Sequence, residues 1–135
     1  MTDSRTRVVV VPCSGIGKTY GSVSREAAYE VTEDLRPAET RRVALSLLVL
    51  GDEEARRIVG EAPVVTIDGC KLACASKMVK ESGGVVVREF DVLEAFRRHR
   101  RLKPQGIAEL NEDGAELARV LAKEVASAVD DIRKE

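Results

Sequence analysis

Arg7-Val8-Val9-Val10-Val11-Pro12 is the stretch that decides the fold. Four consecutive valines leave no polar position to face water. The run therefore reads as a strand buried on both faces, the environment of a parallel sheet covered by helices on each side. A glycine-rich loop, Cys13 to Gly21, follows it. Next comes a helix with Ser22 as N-cap and an i+4 stripe of Val23, Ala27, Val31 and Leu35, with Pro37 just past its end. Pro63 to Ile67 is a second buried-strand run. It enters the turn Asp68-Gly69-Cys70 and then a helix carrying Leu72, Ala75 and Val79 that stops at Gly83-Gly84. Val85 to Val87 is a further strand.

The segment Thr40 to Leu50 fits either a strand or a buried helix, and the surrounding alternation favours a strand to about Leu45. Asp52 caps a short helix with Ala55, Ile58 and Val59 that ends at Gly60. Asp91 and Glu94 form a capping-box pattern for another helix, closed by Pro104 and Gly106. The last helix starts near Asp113 with the stripe Leu117, Leu121, Val125, Val129 and Ile132. Strands alternating with helices predict an α/β fold: a single three-layer domain over 1–135, with a small, mainly parallel sheet of about four strands flanked by helices. Residues 91–135 form a helical C-terminal extension of that domain.

The 135 residues suffice for one core, and it is built from Val, Leu, Ile and Ala because aromatics are only 3%. Lys and Arg number 22 against 23 Asp and Glu, a balance that argues against a nucleic-acid-coating or polybasic membrane protein. No apolar run reaches the roughly 18 residues of a membrane helix. MTDSRTR leads into the first strand without a signal-peptide core, so a cytoplasmic location is expected. Three cysteines, an odd number, do not suggest a secreted disulfide framework.

Ligands of open parallel sheets bind beyond the carboxyl ends of the strands. Cys13 follows the first strand, Cys70 follows the third, and Cys74 lies four residues on. All three fall at one sheet edge, with Cys70 and Cys74 expected on one face of a helix's first turn, where the dipole favours a thiolate. One reading is a thiolate cluster for a soft cation such as zinc; the other is three unconnected core residues. C-x3-C alone does not choose between them. Asp68 is a candidate fourth ligand or a group that orients a ligand. His99, set among four arginines, reads as a solvated surface residue.

Pro12-Cys13-Ser14-Gly15-Ile16-Gly17-Lys18-Thr19 ends like a phosphate-binding loop, but Pro12 stands where the first glycine of that loop belongs. Nucleotide binding is therefore disfavoured. Gly15, Gly17 and Lys18 remain a candidate anion cradle, or simply a glycine turn beside a surface lysine. Arg97 to Lys103 (RRHRRLK) reads as a solvated helix end rather than a nucleic-acid patch.

Ile67-Asp68-Gly69-Cys70, Ala73-Cys74-Ala75 and Cys13-Ser14-Gly15 together resemble the DGC-domain family, over Val8 to about Phe90. The resemblance implies a metal site, with zinc inferred from the family's cysteines, and maps it onto Cys13, Asp68, Gly69, Cys70 and Cys74. Many relatives carry further cysteines where Ile16 stands here and within Val43 to Ser46, so this chain holds a thinned set. Three readings follow. The first is a zinc protein using Cys13, Cys70 and Cys74. The second is a thiol redox protein or enzyme with Cys70 as nucleophile. The third is a carrier or accessory for a metal, an iron–sulfur cluster or an anionic cofactor. The C-terminal helix is expected to pack on its own domain, on a partner protein or on a second copy.

Overall fold

A computed structural model describes residues 7–13, 18–69, 73–107 and 109–134. Strand β1 (Val8–Pro12) is buried along its whole length. It lies between β2 (Thr40–Arg42) and β3 (Pro63–Asp68), and β4 (Val85–Asp91) completes a sheet of order β2-β1-β3-β4. Every pairing is parallel. The alternation of the strand distributes β1 between two cores. Val8 and Val10 join Val65 and Ile67 beneath α1 (Thr19–Tyr29), α5 (Val92–Arg98) and α6 (Glu112–Lys134). Val9 and Val11 join Val64 beneath α2 (Leu45–Leu50), α3 (Glu53–Glu61) and α4 (Cys74–Glu81). The chain leaving β1 therefore goes to one face and the chain leaving β3 to the other, which opens a crevice at their carboxyl ends. Among the described residues, no helix is long and apolar enough to cross a membrane.

The expected α/β architecture is the one observed. Several boundaries differ, each for a local reason. The strand expected to reach about Leu45 stops at Arg42, and Leu45 opens α2. Leu45 and Leu48 bury into the second core as an i, i+3 pair while Leu47, Val49 and Leu50 stay exposed, a distinction that a short apolar run conceals. The first helix begins at Thr19 with Lys18 as its cap residue, not at Ser22. Ser22 lies inside it, buried, with its hydroxyl donating to the carbonyl of Ile107. After Tyr29 this helix widens into a π-helical segment, Glu30–Leu35. α6 starts at Glu112, close to the expected Asp113, and Asn111 caps it, accepting the Gly114 N–H at 2.8 Å. Asp52 caps α3 as expected, accepting the Ala55 N–H at 2.9 Å.

Helix α6 docks on its own domain. Leu117, Leu121, Val125 and Val129 are fully buried in the first core, each contributing about 1.5–3 kcal/mol. At its far end Arg36 forks onto Asp130, Nε to Oδ1 and Nη2 to Oδ2, both at 2.7 Å. Asp130 is 44% exposed, so this pair adds under about 1 kcal/mol and the apolar stripe decides the docking. The hydrogen bond from Arg36 holds the Asp130 carboxyl below the usual range. A depressed folded-state pKa contributes stability at pH values above the unfolded-state pKa and loses it as pH falls through the folded value. The coupling energy from an R36A/D130A double-mutant cycle is thus expected to be small and favourable at neutral pH. It should vanish in acid, which urea unfolding at the two pH values will show.

Candidate functional site at the carboxyl edge of the sheet

The ends of β1 and β3 are fastened to each other. Pro12 pairs with Ile67, and the Cys13 N–H donates to the Ile67 carbonyl at 2.8 Å. Ser24, buried in α1, donates its hydroxyl to the same carbonyl at 2.6 Å and accepts from the Cys13 N–H at 3.1 Å. Cys13 is thereby held, 4% exposed, between the two strand ends and α1. Gly69 completes the clamp from the other side. A Cβ added there would lie 2.9 Å from Gly21 N and from the carbonyl carbon and oxygen of Tyr20. The turn after β3 can approach the first turns of α1 only because residue 69 has no side chain.

Asp68 anchors the helix that follows. Its Oδ1 accepts the Ala75 N–H at 2.7 Å, and its Oδ2 accepts the Ser76 hydroxyl at 2.7 Å. Ser76 Oγ also lies 2.7 Å from Thr66 Oγ1. Asp68, Ser76 and Thr66 are all buried. The carboxylate therefore satisfies N–H groups at the start of α4 that no helical carbonyl reaches. It positions Cys74, the first residue of that helix, which is exposed at the surface of the edge. Of the two roles expected for Asp68, orienting the site is the one these bonds describe.

The helix begins later than its sequence suggests. Ala73 adopts φ 52°, ψ 47°, a left-handed conformation that interrupts any right-handed run before Cys74. Helix α4 starts at Cys74, so its N-terminus belongs to Cys74. A left-handed alanine costs roughly 1–2 kcal/mol, which the Asp68 bonds on the following turn offset. Cys70 itself lies outside the described residues, as do Gly15 and Gly17 of the candidate anion cradle. Lys18 is exposed at the start of α1. His99 lies past the end of α5, with Nε2 3.9 Å from Glu124. Among the described residues, no three His, Cys, Asp or Glu side chains converge as a metal site requires. The structure brings Cys13, Asp68, Gly69 and Cys74 to one edge. Ser24, Ser76 and the Tyr20–Gly21 backbone were not legible as part of it, because they act through contacts between segments distant in sequence.

A doubly wound α/β domain with cysteines at the carboxyl ends of its central strands is the class that this fold and edge define. Residues 9–123 match the DGC domain, and the chain belongs to the DGC-domain family. The match continues past Phe90 through α5 and into α6. No curated protein and no solved structure matches the chain.

Proposed function

We propose that this protein is a cytoplasmic zinc-binding protein whose ligands are the thiolates of Cys13, Cys70 and Cys74. The observation that carries the reading is the clamp. The ends of β1 and β3, after which the family's cysteine motifs fall in the sequence, are fastened at the switch point of the sheet by the Cys13–Ile67–Ser24 bonds and the Gly69 contact. The donor chemistry fits, since zinc takes thiolates at about 2.3 Å in tetrahedral sites and three protein ligands leave a fourth position for water or a small molecule. Asp68, tied to α4, would orient Cys74 rather than fill that position. A partner protein or second copy meeting α6 would use its outer face, since the apolar stripe is spent on the core. Metal analysis of protein purified under reducing conditions tests the proposal. One zinc per chain, lost in Cys70→Ser, is expected; substoichiometric zinc unaffected by that substitution would overturn it.

One observation favours a thiol redox reading as the second. Cys74 is both exposed and first in α4, where the helix N-terminus stabilises a thiolate. That reading keeps Cys70 as the expected nucleophile and adds Cys74 as a second candidate for the low-pKa thiol. Alkylation of metal-free protein across pH distinguishes the two: the redox reading expects Cys74 to titrate well below about 8.5, and equal, slow alkylation of all three thiols counts against it.

A further inference from the structure

Arg97 to Lys103 closes α5 and begins the connection to α6. The segment carries four arginines and one lysine in a chain whose net charge is -1. Arg98 is spent within the fold, forking onto Glu124 of α6 from Nη1 to Oε2 and from Nη2 to Oε1, both at 2.9 Å. Arg97, Arg100, Arg101 and Lys103 are exposed, and their side chains reach no carboxylate among the described residues. Asp113 is turned to the Lys103 backbone, accepting its N–H at 3.3 Å. The backbone of the segment is pinned. Leu102 is 7% exposed and sits in the first core. The His99 N–H donates to the Phe96 carbonyl at 3.0 Å, and the Leu102 N–H donates to the His99 carbonyl at 2.9 Å. Asn111, the cap of α6, donates its side-chain amide to the Lys103 carbonyl at 3.0 Å. Four cations are thus presented on a fixed turn, which loses little backbone freedom when a partner arrives. Like charges held this close repel, and an anionic partner relieves that repulsion.

We infer that this turn is a docking surface for an acidic segment of a partner protein, whose Asp and Glu carboxylates meet Arg97, Arg100, Arg101 and Lys103. Charge sets the sign, and extent sets the class. Nucleic-acid affinity grows with the number of phosphates neutralised, about six to ten in strongly salt-dependent binders. Here the free cations occupy a single turn, bounded in sequence by Glu94 before it and by Glu109, Glu112 and Asp113 after it. Aromatic residues, the platforms on which bases stack, are only 3% of the chain. Three of the four free cations are arginines, and planar guanidinium groups match carboxylates in pairs. The inference stands apart from the zinc reading, since no cysteine belongs to the segment.

An octaglutamate peptide is the probe, with a Gly-Ser octapeptide as its neutral counterpart and a single-stranded octanucleotide as the nucleic-acid comparison. Each is titrated into the isotope-labelled full chain at physiological ionic strength, where charges are screened beyond about 8 Å, and followed by amide NMR shifts. Octaglutamate is expected to give saturable shifts centred on residues 97–103, and the Gly-Ser peptide none. The octanucleotide should bind those residues more weakly than octaglutamate does. The double variant R100Q/R101Q should weaken octaglutamate about fivefold to tenfold, the range for losing two exposed ion pairs. Arg88→Gln, which removes an exposed cation of β4, should leave the affinity unchanged. All three substitutions are at exposed positions, and the spectra themselves report that each variant is folded. Tighter binding of the octanucleotide at these residues would assign the turn to nucleic acid and overturn the inference. So would the absence of saturable shifts, shifts centred elsewhere, equal binding of the neutral peptide, unchanged affinity in R100Q/R101Q, or an equal loss in Arg88→Gln.

Discussion

Gly69→Ala is expected to destabilise the protein by about 2 kcal/mol or more, and Gly60→Ala to leave it unchanged or stabilise it. The contrast isolates one cause. At Gly69 the new Cβ meets three backbone atoms of Tyr20 and Gly21 at 2.9 Å. Backbone atoms cannot rotate away, so the turn after β3 must separate from α1, an overpacking cost of typically 1–3 kcal/mol. At Gly60, inside α3, nothing lies within 4 Å, and a helical Gly→Ala change recovers up to about 1 kcal/mol of helix propensity. In a chain of this size, 2 kcal/mol lowers the melting temperature by roughly 5–10 °C, which thermal unfolding followed by circular dichroism resolves. Equal melting temperatures for the two variants would show that the clamp does not bear on stability. On the zinc proposal, zinc retention by Gly69→Ala, measured well below its melting temperature, is also expected to fall, because Gly69 immediately precedes Cys70 and lies against the start of α1.

Asp68→Ala is expected to cost roughly 3 kcal/mol. The substitution strips a buried acceptor from the Ala75 N–H and from the Ser76 hydroxyl. Each donor left unpaired costs about 1–3 kcal/mol, partly recovered where Ser76 turns wholly to Thr66 and where water reaches α4. Loss of a helix cap alone costs about 1 kcal/mol. Asp68→Asn keeps one amide oxygen as an acceptor and should lose markedly less. Denaturant unfolding gives the ordering wild type, Asn, Ala, with the Ala variant's midpoint the lowest. A midpoint for Asp68→Ala equal to that of the wild type removes the anchoring role. Because Asp68 holds the start of α4, the Ala variant should also alter the reactivity of Cys74, whereas a mutation in the remote Arg36–Asp130 pair should not.

The architecture could be read from particular residues. Val8 to Val11 are continuously apolar and Val64 to Ile67 β-branched throughout, patterns that suit strands of a sheet covered on both faces. Asp52 announces α3 through its capping chemistry. The segment from Leu45 to Leu50 was unreadable for the converse reason: six residues are too few for helical periodicity to outweigh an apolar run. Ser22 shows how a capping residue misleads. Ser22 precedes an apolar stripe but is itself buried against Ile107.

By itself, the sequence determined a parallel α/β domain, the placement of the cysteine motifs after strands, and the family to which Asp-Gly-Cys and its companions belong. Those are properties of consecutive residues, of their hydropathy and backbone preference. Tertiary structure alone decided that Gly69 is glycine because α1 lies against it, that Asp68 is spent on α4, and that α4 begins at Cys74 after a left-handed Ala73. Each of these depends on distances between segments far apart in the chain, and no local pattern of residues encodes such a distance.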